Sequence, residues 1–480
     1  MTQNTRRFFE WFKEIPKKKK GWMIFLFLYS VIAMAILPYW GLSMPGIIGI
    51  YIWTPPFRYV IQFFMFVGVA LPIVLILDVI KSYKTENPIR VPSRFYWAIS
   101  LIFVLIPTGL FGFVTFFQYV TFGDKPPQLV LEPNSTKQIP NYAVVFYTQE
   151  ATQNTLHWGP TSEMELRYAE TEPSQQHALK MVNLAPNTTY YYQINGIGKI
   201  YNFTTPPNQL NKLKFAAFGD IHIDAVTATY SATEQIFQSI TNPASSYNLI
   251  LTAGDYVELG FMDSSWKMWM ELSTKYSTHI PILGTVGNHD NFGGGQQWFQ
   301  AYFQPTKLDM NNGTSFWNIH KVNGINIILL NLEWSNESYS AEQRDWLLRT
   351  LDTINNDDWT IVLSHAFFYS SGTKNAGIQW GDDQNMIGLF HNLFKEHGVD
   401  LVISGHNHHL ELCEKDGIVY LTVGGGGGHP DSMRTYSSVA SIWYQQGKHG
   451  FAGIDINGSM MDIGFYTLQN ELMYNYTITR

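Results

Sequence analysis

One cysteine, Cys413, stands in 480 residues, so no disulfide can close within the chain. Charge is also scarce, at 14% of residues, and acidic charge is scarcest at the start. Residues 1–122 hold 4 of the 38 Asp/Glu and 12 of the 31 Lys/Arg, a net of +8, whereas residues 123–480 carry a net of −15. The two parts suit different solvents. The acidic part has no basic stripe to neutralise phosphates along a strand, which argues against nucleic-acid binding. The glycine run Gly424–Gly428 is not followed by Gly-Lys-Ser/Thr, so it is no P-loop. No internal repeat is present.

What residues 1–122 do have is three long uncharged stretches, Gly21–Phe57, Tyr59–Leu77 and Phe95–Gly123. A spanning helix needs about 20 apolar residues. Transmembrane helices are therefore expected near 22–40, 58–78 and 96–120, anchoring the chain in a lipid bilayer. Lys17–Lys20 precede the first stretch, and Lys81, Lys84, Arg90 and Arg94 lie between the second and third. The excess of Lys and Arg marks the cytoplasmic side. Three crossings with the N-terminus inside then make a multi-pass cell-membrane protein with residues 123–480 extracytoplasmic. Four prolines in Gly21–Phe57 leave a re-entrant hairpin open as an alternative, which would reverse that placement. Asn-X-Ser/Thr acceptors at Asn134, Asn187, Asn202, Asn312, Asn336, Asn457 and Asn475 all fall in the part placed outside.

Pro126-Pro127 and Pro206-Pro207 bracket a segment of all-β character. Tyr142–Thr148, Thr155–Trp158, Glu163–Tyr168 and Tyr190–Ile194 are short, β-branched and aromatic, and separated by turn residues, which predicts a small sandwich over 124–207. LAPNTTYYYQI followed by YNFTTPP resembles the closing strands of a fibronectin type III-like domain. With no cluster of His or carboxylates, the segment reads as a spacer or docking module. From Leu213 apolar runs alternate with helix-compatible stretches such as Ala232–Ile240, Ala341–Ile354 and Asn385–His397, predicting an α/β domain over 210–470.

Five of these apolar runs end in residues of metal-ligand type. KFAAF leads into Gly219-Asp220-Ile221-His222, NLILTA into Gly254-Asp255, PILGTV into Gly287-Asn288-His289-Asp290, WTIVLS into His365, and VDLVIS into Gly405-His406-Asn407-His408. Strand ends of open α/β sheets converge on a common crevice. Two close divalent ions need a bridging carboxylate, several imidazoles and a neutral oxygen donor. Singly each signal is weak, since Gly-Asp usually marks a turn and a lone buried His usually serves packing. The ordered set of five is what points to a metal centre.

That order resembles the calcineurin-like metallophosphoesterase superfamily, over nearly all of 213–430. The preceding fibronectin-like segment, Ser340–Leu347 and HGVDLVISGHNHH look most like its purple acid phosphatase branch. The resemblance implies two packed mixed β-sheets flanked by helices. It implies two metal ions (Mn, Fe or Zn), one held by Asp220, His222 and His408 and the other by Asn288, His365 and His406, with Asp255 bridging. It also implies in-line attack of a metal-bridging hydroxide on a small phosphate ester. His289 would then sit with Asn288 at the phosphoryl group as proton donor or oxyanion stabiliser, oriented by Asp290. The expected activity is a membrane-anchored phosphomonoesterase, with a phosphodiesterase acting on nucleotides or lipid head groups as the first alternative. A surface adhesion protein with a vestigial site is the second.

Two departures matter. Where purple acid phosphatases carry a metal-binding Tyr, this chain has Glu258, with Tyr256 adjacent to Asp255; and where they lack the His of the first motif, His222 is present. The site thus reads as the general superfamily type rather than an iron-tyrosinate centre. His409 reads as supporting or structural, His320 as structural, and Gly424–Gly428 with His429 as either a phosphate contact or a turn. Glu333 and Trp334 are candidates to line the pocket.

Overall fold

The computed structural model describes residues 123–480, apart from 135, 226, 227, 229, 306, 311, 312, 376, 377 and 432, together with Glu10 and Lys13. The spans expected near 22–40, 58–78 and 96–120 lie outside the described residues, as does Asn312. Among the described residues no helix is long and apolar enough to cross a membrane.

The first seven strands make two small sheets. Lys125–Leu131, Tyr142–Thr152 and Ser174–Met181 pair antiparallel in one, and Leu166–Ala169, Thr155–Gly159, Thr189–Ile194 and Tyr201–Thr204 follow in that order in the other. The period of two decides what each face buries. Leu129, Val144 and Leu179 turn inward onto Leu156, Trp158, Tyr192 and Phe203. Tyr142 stacks on Phe203 with ring centroids 4.6 Å apart. Val130, Ala143 and Val145 turn the other way and join Trp298, Phe299 and Tyr302 of the following domain. The three-stranded sheet is thus covered on both sides, and the sandwich is docked rather than tethered. Two of its strands escape sequence reading: Lys125–Leu131 begins on Pro126-Pro127 and has a bulge there, and Ser174–Met181 is largely polar.

From Lys212 onward two mixed sheets lie face to face. In one, Ile282–Gly284, Leu249–Thr252 and Lys212–Phe218 run parallel and are continued antiparallel by Gly450–Asn457, Met460–Thr467 and Leu472–Thr479. The last strand carries the domain to Thr479, past the boundary expected near 470. In the other, Asn318–Val322 pairs antiparallel with Ile325–Leu329, which is followed in parallel by Thr360–Leu363, Leu401–Ser404 and Ile418–Val423; Leu410–Lys415 and Ser441–Gln445 close the edge. Phe215, Leu251, Ile327, Ile361, Ile403 and Ile454 fill the space between the sheets.

Helices cover the outer faces. Tyr230–Thr241 and Asp263–Ser277 lay Ile236, Phe237, Trp266 and Trp269 onto Ala216, Phe218 and Ile250. Ala341–Thr353 and Gln384–Glu396 lay Trp346, Leu347, Phe390 and Phe394 onto Ile328, Val362 and Val402. Ser340 caps the former by accepting from the Gln343 amide, and Asp383 caps the latter through the amides of Asn385 and Met386. The Asp263–Ser277 helix has no clear sequence signal because its buried Ser265, Ser273 and Ser277 break the apolar stripe.

Candidate metal centre

All five motifs leave the carboxyl ends of parallel strands, where the two sheets open toward one another. Lys212–Phe218 delivers Asp220 and His222, Leu249–Thr252 delivers Asp255, Ile282–Gly284 delivers Asn288 and His289, Thr360–Leu363 delivers His365, and Leu401–Ser404 delivers His406 and His408. Four of these side chains hang from backbone in the left-handed region: Asp220 (φ 58°), His222 (φ 53°), Asp255 (φ 55°) and His406 (φ 68°). Non-glycine residues are held there only where surrounding structure over-determines them, as at functional sites. Gly254 (φ 86°) makes room as well, since a Cβ there would fall 2.9 Å from His365 Nδ1 and 2.8 Å from the Gly287 amide.

The hydrogen bonds fix which imidazole nitrogens carry protons. His365 Nδ1 lies 2.6 Å from the Ala253 carbonyl oxygen and His408 Nδ1 lies 2.7 Å from that of His429. A carbonyl only accepts, so both Nδ1 atoms donate, and in the neutral ring each Nε2 is a bare lone pair. His222 Nδ1 donates likewise to Glu258 Oε2 at 2.8 Å. Yet His222 Nε2 and His408 Nε2 face each other at 3.1 Å, and His365 Nε2 faces Asn288 Oδ1 at 2.9 Å and Asp255 Oδ2 at 3.3 Å. His406 Nδ1 points at the same Asn288 oxygen, 2.9 Å away. Asp220 Oδ1 is buried with no hydrogen-bond partner. Lone pairs aimed at lone pairs repel unless a cation stands between them. The donor set of carboxylate, imidazole and amide oxygen suits Mn, Fe or Zn.

Ligand-type atoms of Asp220, His222 and His408 come within 4.8 Å of one another, as do those of Asp220, Asp255 and His365, so Asp255 and Asp220 stand between two groups of imidazoles. The electrostatics reflect the crowding. Burial, helped by Asp255, pushes Asp220 well above the usual carboxylate range. Burial also acts to raise Asp255, but His365, His289 and His222 hold it well below. Burial lowers His406 and His408, and the neighbouring imidazoles His365 and His222 lower them further, His408 to about 4. Asp255 and Asp220 push His365 up to about 10 against its burial, so a proton on its Nε2 is the other cation that can stand between this ring and the facing oxygens.

Asp290 does not orient the His289 ring, contrary to expectation. Its carboxylate accepts from the amides of Asp255, Tyr256, Val257 and Gly287, at 2.7, 2.8, 3.2 and 2.8 Å, which locks two of the ligand-bearing loops together. His289 Nδ1 instead donates to the Glu258 carbonyl oxygen at 2.9 Å, with the Glu258 carboxylate 3.5 Å away. Glu258 therefore supports two site imidazoles at once. Tyr256 points away from the centre: its hydroxyl meets Thr252 Oγ1 at 2.7 Å among Trp269 and Phe303.

A cleft of about 220 Å³ opens over Asp255, Asn288, His289, His406 and His408, and its outer walls are Trp334, Thr373, Trp380, Asn407 and Asp431. Trp334 is among the residues the sequence suggested; Trp380, Thr373 and Asp431 lie in loops with no motif to announce them. Glu333 sits one layer behind, bonded to Asn291 at 2.5 Å, and burial pushes it up to about 7. Gly424–Gly428 does not line the cleft. The amides of Gly426 and Gly428 donate to the carbonyl oxygens of Gly219 and Asp220, so the run buttresses the first motif. His409 lies behind the cleft between Asp431 and Glu411, at 2.9 and 3.2 Å. His320 is fully buried in the Asn318–Val322 strand.

Comparison with known proteins agrees with this geometry. Residues 213–410 match the family described as calcineurin-like phosphoesterase. Purple acid phosphatase 21 of Arabidopsis thaliana is 26% identical over 272 residues, covering 52% of this chain and 58% of that protein. Protein Rv2577 of Mycobacterium tuberculosis, described as uncharacterized, is 25% identical over 324 residues, covering 59% of each. The chain thus spans somewhat under two thirds of these relatives. Among solved structures, purple acid phosphatase PPD1 from yellow lupin (Lupinus luteus) seeds superposes with a TM-score of 0.62 at 16% identity, covering 74% of each chain.

Proposed function

We propose that this chain, which carries a calcineurin-like phosphoesterase domain with purple acid phosphatase homologues, is a membrane-anchored, externally facing phosphoesterase that hydrolyses phosphate monoesters. One observation carries the reading: imidazole lone pairs from three motifs are turned on one another and on the oxygens of Asp255 and Asn288, 2.9–3.4 Å apart. In this reading Asp220, His222 and His408 would hold one metal ion, Asn288, His365 and His406 the other, and Asp255 both. Bound there, such ions polarise phosphoryl oxygens and lower the pKa of water.

The chain's own groups do the rest. His289 has its Nδ1 tied to the Glu258 carbonyl, leaving Nε2 as the atom that hands a proton to the departing alkoxide. Its basicity is raised, since Asp255 and Glu258 outweigh the lowering effect of burial. Asp290 keeps the Asp255 and Asn288 loops in register through four amides. We read the two small sheets as a fibronectin III-like module. The membrane placement rests on the three uncharged stretches and the Lys/Arg bias of residues 1–122.

The test is hydrolysis of a panel of phosphate mono- and diesters by metal-loaded full-length protein, alongside metal analysis. Monoester turnover with two metals per chain is expected. Preferential cleavage of diesters would replace the monoesterase reading with the diesterase one, and metal binding without turnover of any ester would point to a vestigial site. His289→Ala should retain both metals and lose about 10²–10⁴ in rate, least for good leaving groups. Intact cells should hydrolyse an impermeant ester; activity only after lysis would overturn the topology.

A further inference from the structure

The outer half of the cleft is built unlike a site for a polyanion. Among the described residues that line it there is no Lys or Arg, whereas Asp431 is present. Trp334 and Trp380 meet with ring centroids 5.4 Å apart and planes at 74°, forming two walls of a corner. Each also lies close to the expected ligand His406, with centroids 4.8 and 5.5 Å away. Parallel faces would form a slot for a flat ring. Perpendicular indoles fit a rounded group that touches both walls, and their π-faces attract cations.

Asp431 adds the charge. Its backbone amide donates to the His408 carbonyl oxygen at 3.0 Å, fixing it beside the metal centre. Its Oδ2 is tied to His409 Nδ1 at 2.9 Å, and the same imidazole serves Glu411 at 3.2 Å. Two carboxylates thus converge on one imidazole beside the cleft. The Asp431 side chain remains 23% exposed.

We propose that Trp334, Trp380 and Asp431 form a subsite for an alkylammonium group, and that the preferred substrates are phosphate monoesters of short amino alcohols, of the choline or ethanolamine type. This rests on the phosphomonoesterase reading above. With phosphorus at the metal centre, the alcohol of such an ester would extend into the same cleft that all three side chains line. Hydrolysis breaks the bond between phosphorus and the alcohol oxygen; water supplies hydroxyl to phosphorus and a proton to the released amino alcohol. An alternative role for the indoles, bracing His406 alone, would leave selectivity for the alcohol untouched.

The experiment compares two esters of equal shape, phosphocholine and its uncharged carbon isostere 3,3-dimethylbutyl phosphate, on metal-loaded full-length protein. A kcat/KM ratio favouring phosphocholine by about tenfold is expected, falling toward one in Trp380→Leu and in Asp431→Asn. A wild-type ratio near one overturns the subsite, and so does a high ratio that both variants leave unchanged. A second arm measures binding of choline against 3,3-dimethylbutanol by calorimetry, which needs no turnover. If neither ester is cleaved, the panel above still decides the phosphatase reading and this arm decides the subsite: tighter choline binding that is lost in Trp380→Leu supports it, and equal binding overturns it.

Discussion

Glu258 Oε2 stands 2.8 Å from Nδ1 of His222 and 3.5 Å from Nδ1 of His289. The chain thus has one carboxylate, three residues after Asp255, acting on two imidazoles of the site. A carboxylate on the far nitrogen of a metal-ligating His fixes its tautomer and the orientation of its ring. Glu258→Ala is therefore expected to weaken metal retention by about 10–100-fold, with Glu258→Gln milder because an amide oxygen still accepts. Metal content after dialysis against graded chelator reads the effect. Retention equal to wild type in both variants would remove Glu258 from the site.

Tyr256 is the tyrosine next to Asp255 in sequence, and its hydroxyl is spent on Thr252. Protein loaded with ferric iron should consequently show no visible tyrosinate-to-iron charge-transfer band. Tyr256→Phe should leave metal content and spectrum unchanged and cost about 1 kcal/mol of stability from the lost hydrogen bond. A coloured ferric form that bleaches in Tyr256→Phe would contradict the observed direction of this side chain.

The sandwich is joined to the α/β domain through a buried ion pair. Lys125 Nζ lies 2.9 Å from Asp263 Oδ2 with both side chains fully buried, and the Tyr302 hydroxyl donates to Asp263 Oδ1 at 2.6 Å. Removing one partner strands the other charge, so Lys125→Met should destabilise by about 3–5 kcal/mol. The double variant Lys125→Met with Asp263→Leu should recover a large part of that loss. Urea unfolding checks both, and equal losses in single and double variants would show that the charge balance is not what matters there.

His320 ties acid sensitivity to the fold. Burial pushes its pKa down to about 3 from an ordinary 6.5. The unfolded chain takes up this proton as pH falls below 6.5, and the native protein does not until pH approaches 3. The stability contributed by the neutral ring is thus fully present above pH 6.5 and lost as pH falls toward 3. His320→Leu should flatten the stability profile across that window, as followed by the urea midpoint at pH 7 and pH 4. An unchanged slope would place the acid sensitivity elsewhere.

The amino-acid sequence by itself picked out the residues expected to hold a metal and the alternation of apolar runs with helix-compatible stretches from Leu213 onward. Each donor lies within a few residues of an apolar strand, and alternation along Lys212–Phe218 or Thr360–Leu363 already separates core from outer face. A strand tip followed by glycine and a ligand-type residue is a local pattern, so it is legible without partners. The fate of Asp290 was not legible, because four amides from two loops had to meet before its carboxylate could be assigned. Glu258 appeared only as a departure until folding brought His222 and His289 beside it. The tryptophan corner was decided last of all, since Trp334 and Trp380 sit in separate loops after different strands, and only the packing of the second sheet sets them 5.4 Å apart over His406. Local patterns report the chemistry a chain carries; contacts between distant loops decide which substrate that chemistry can reach.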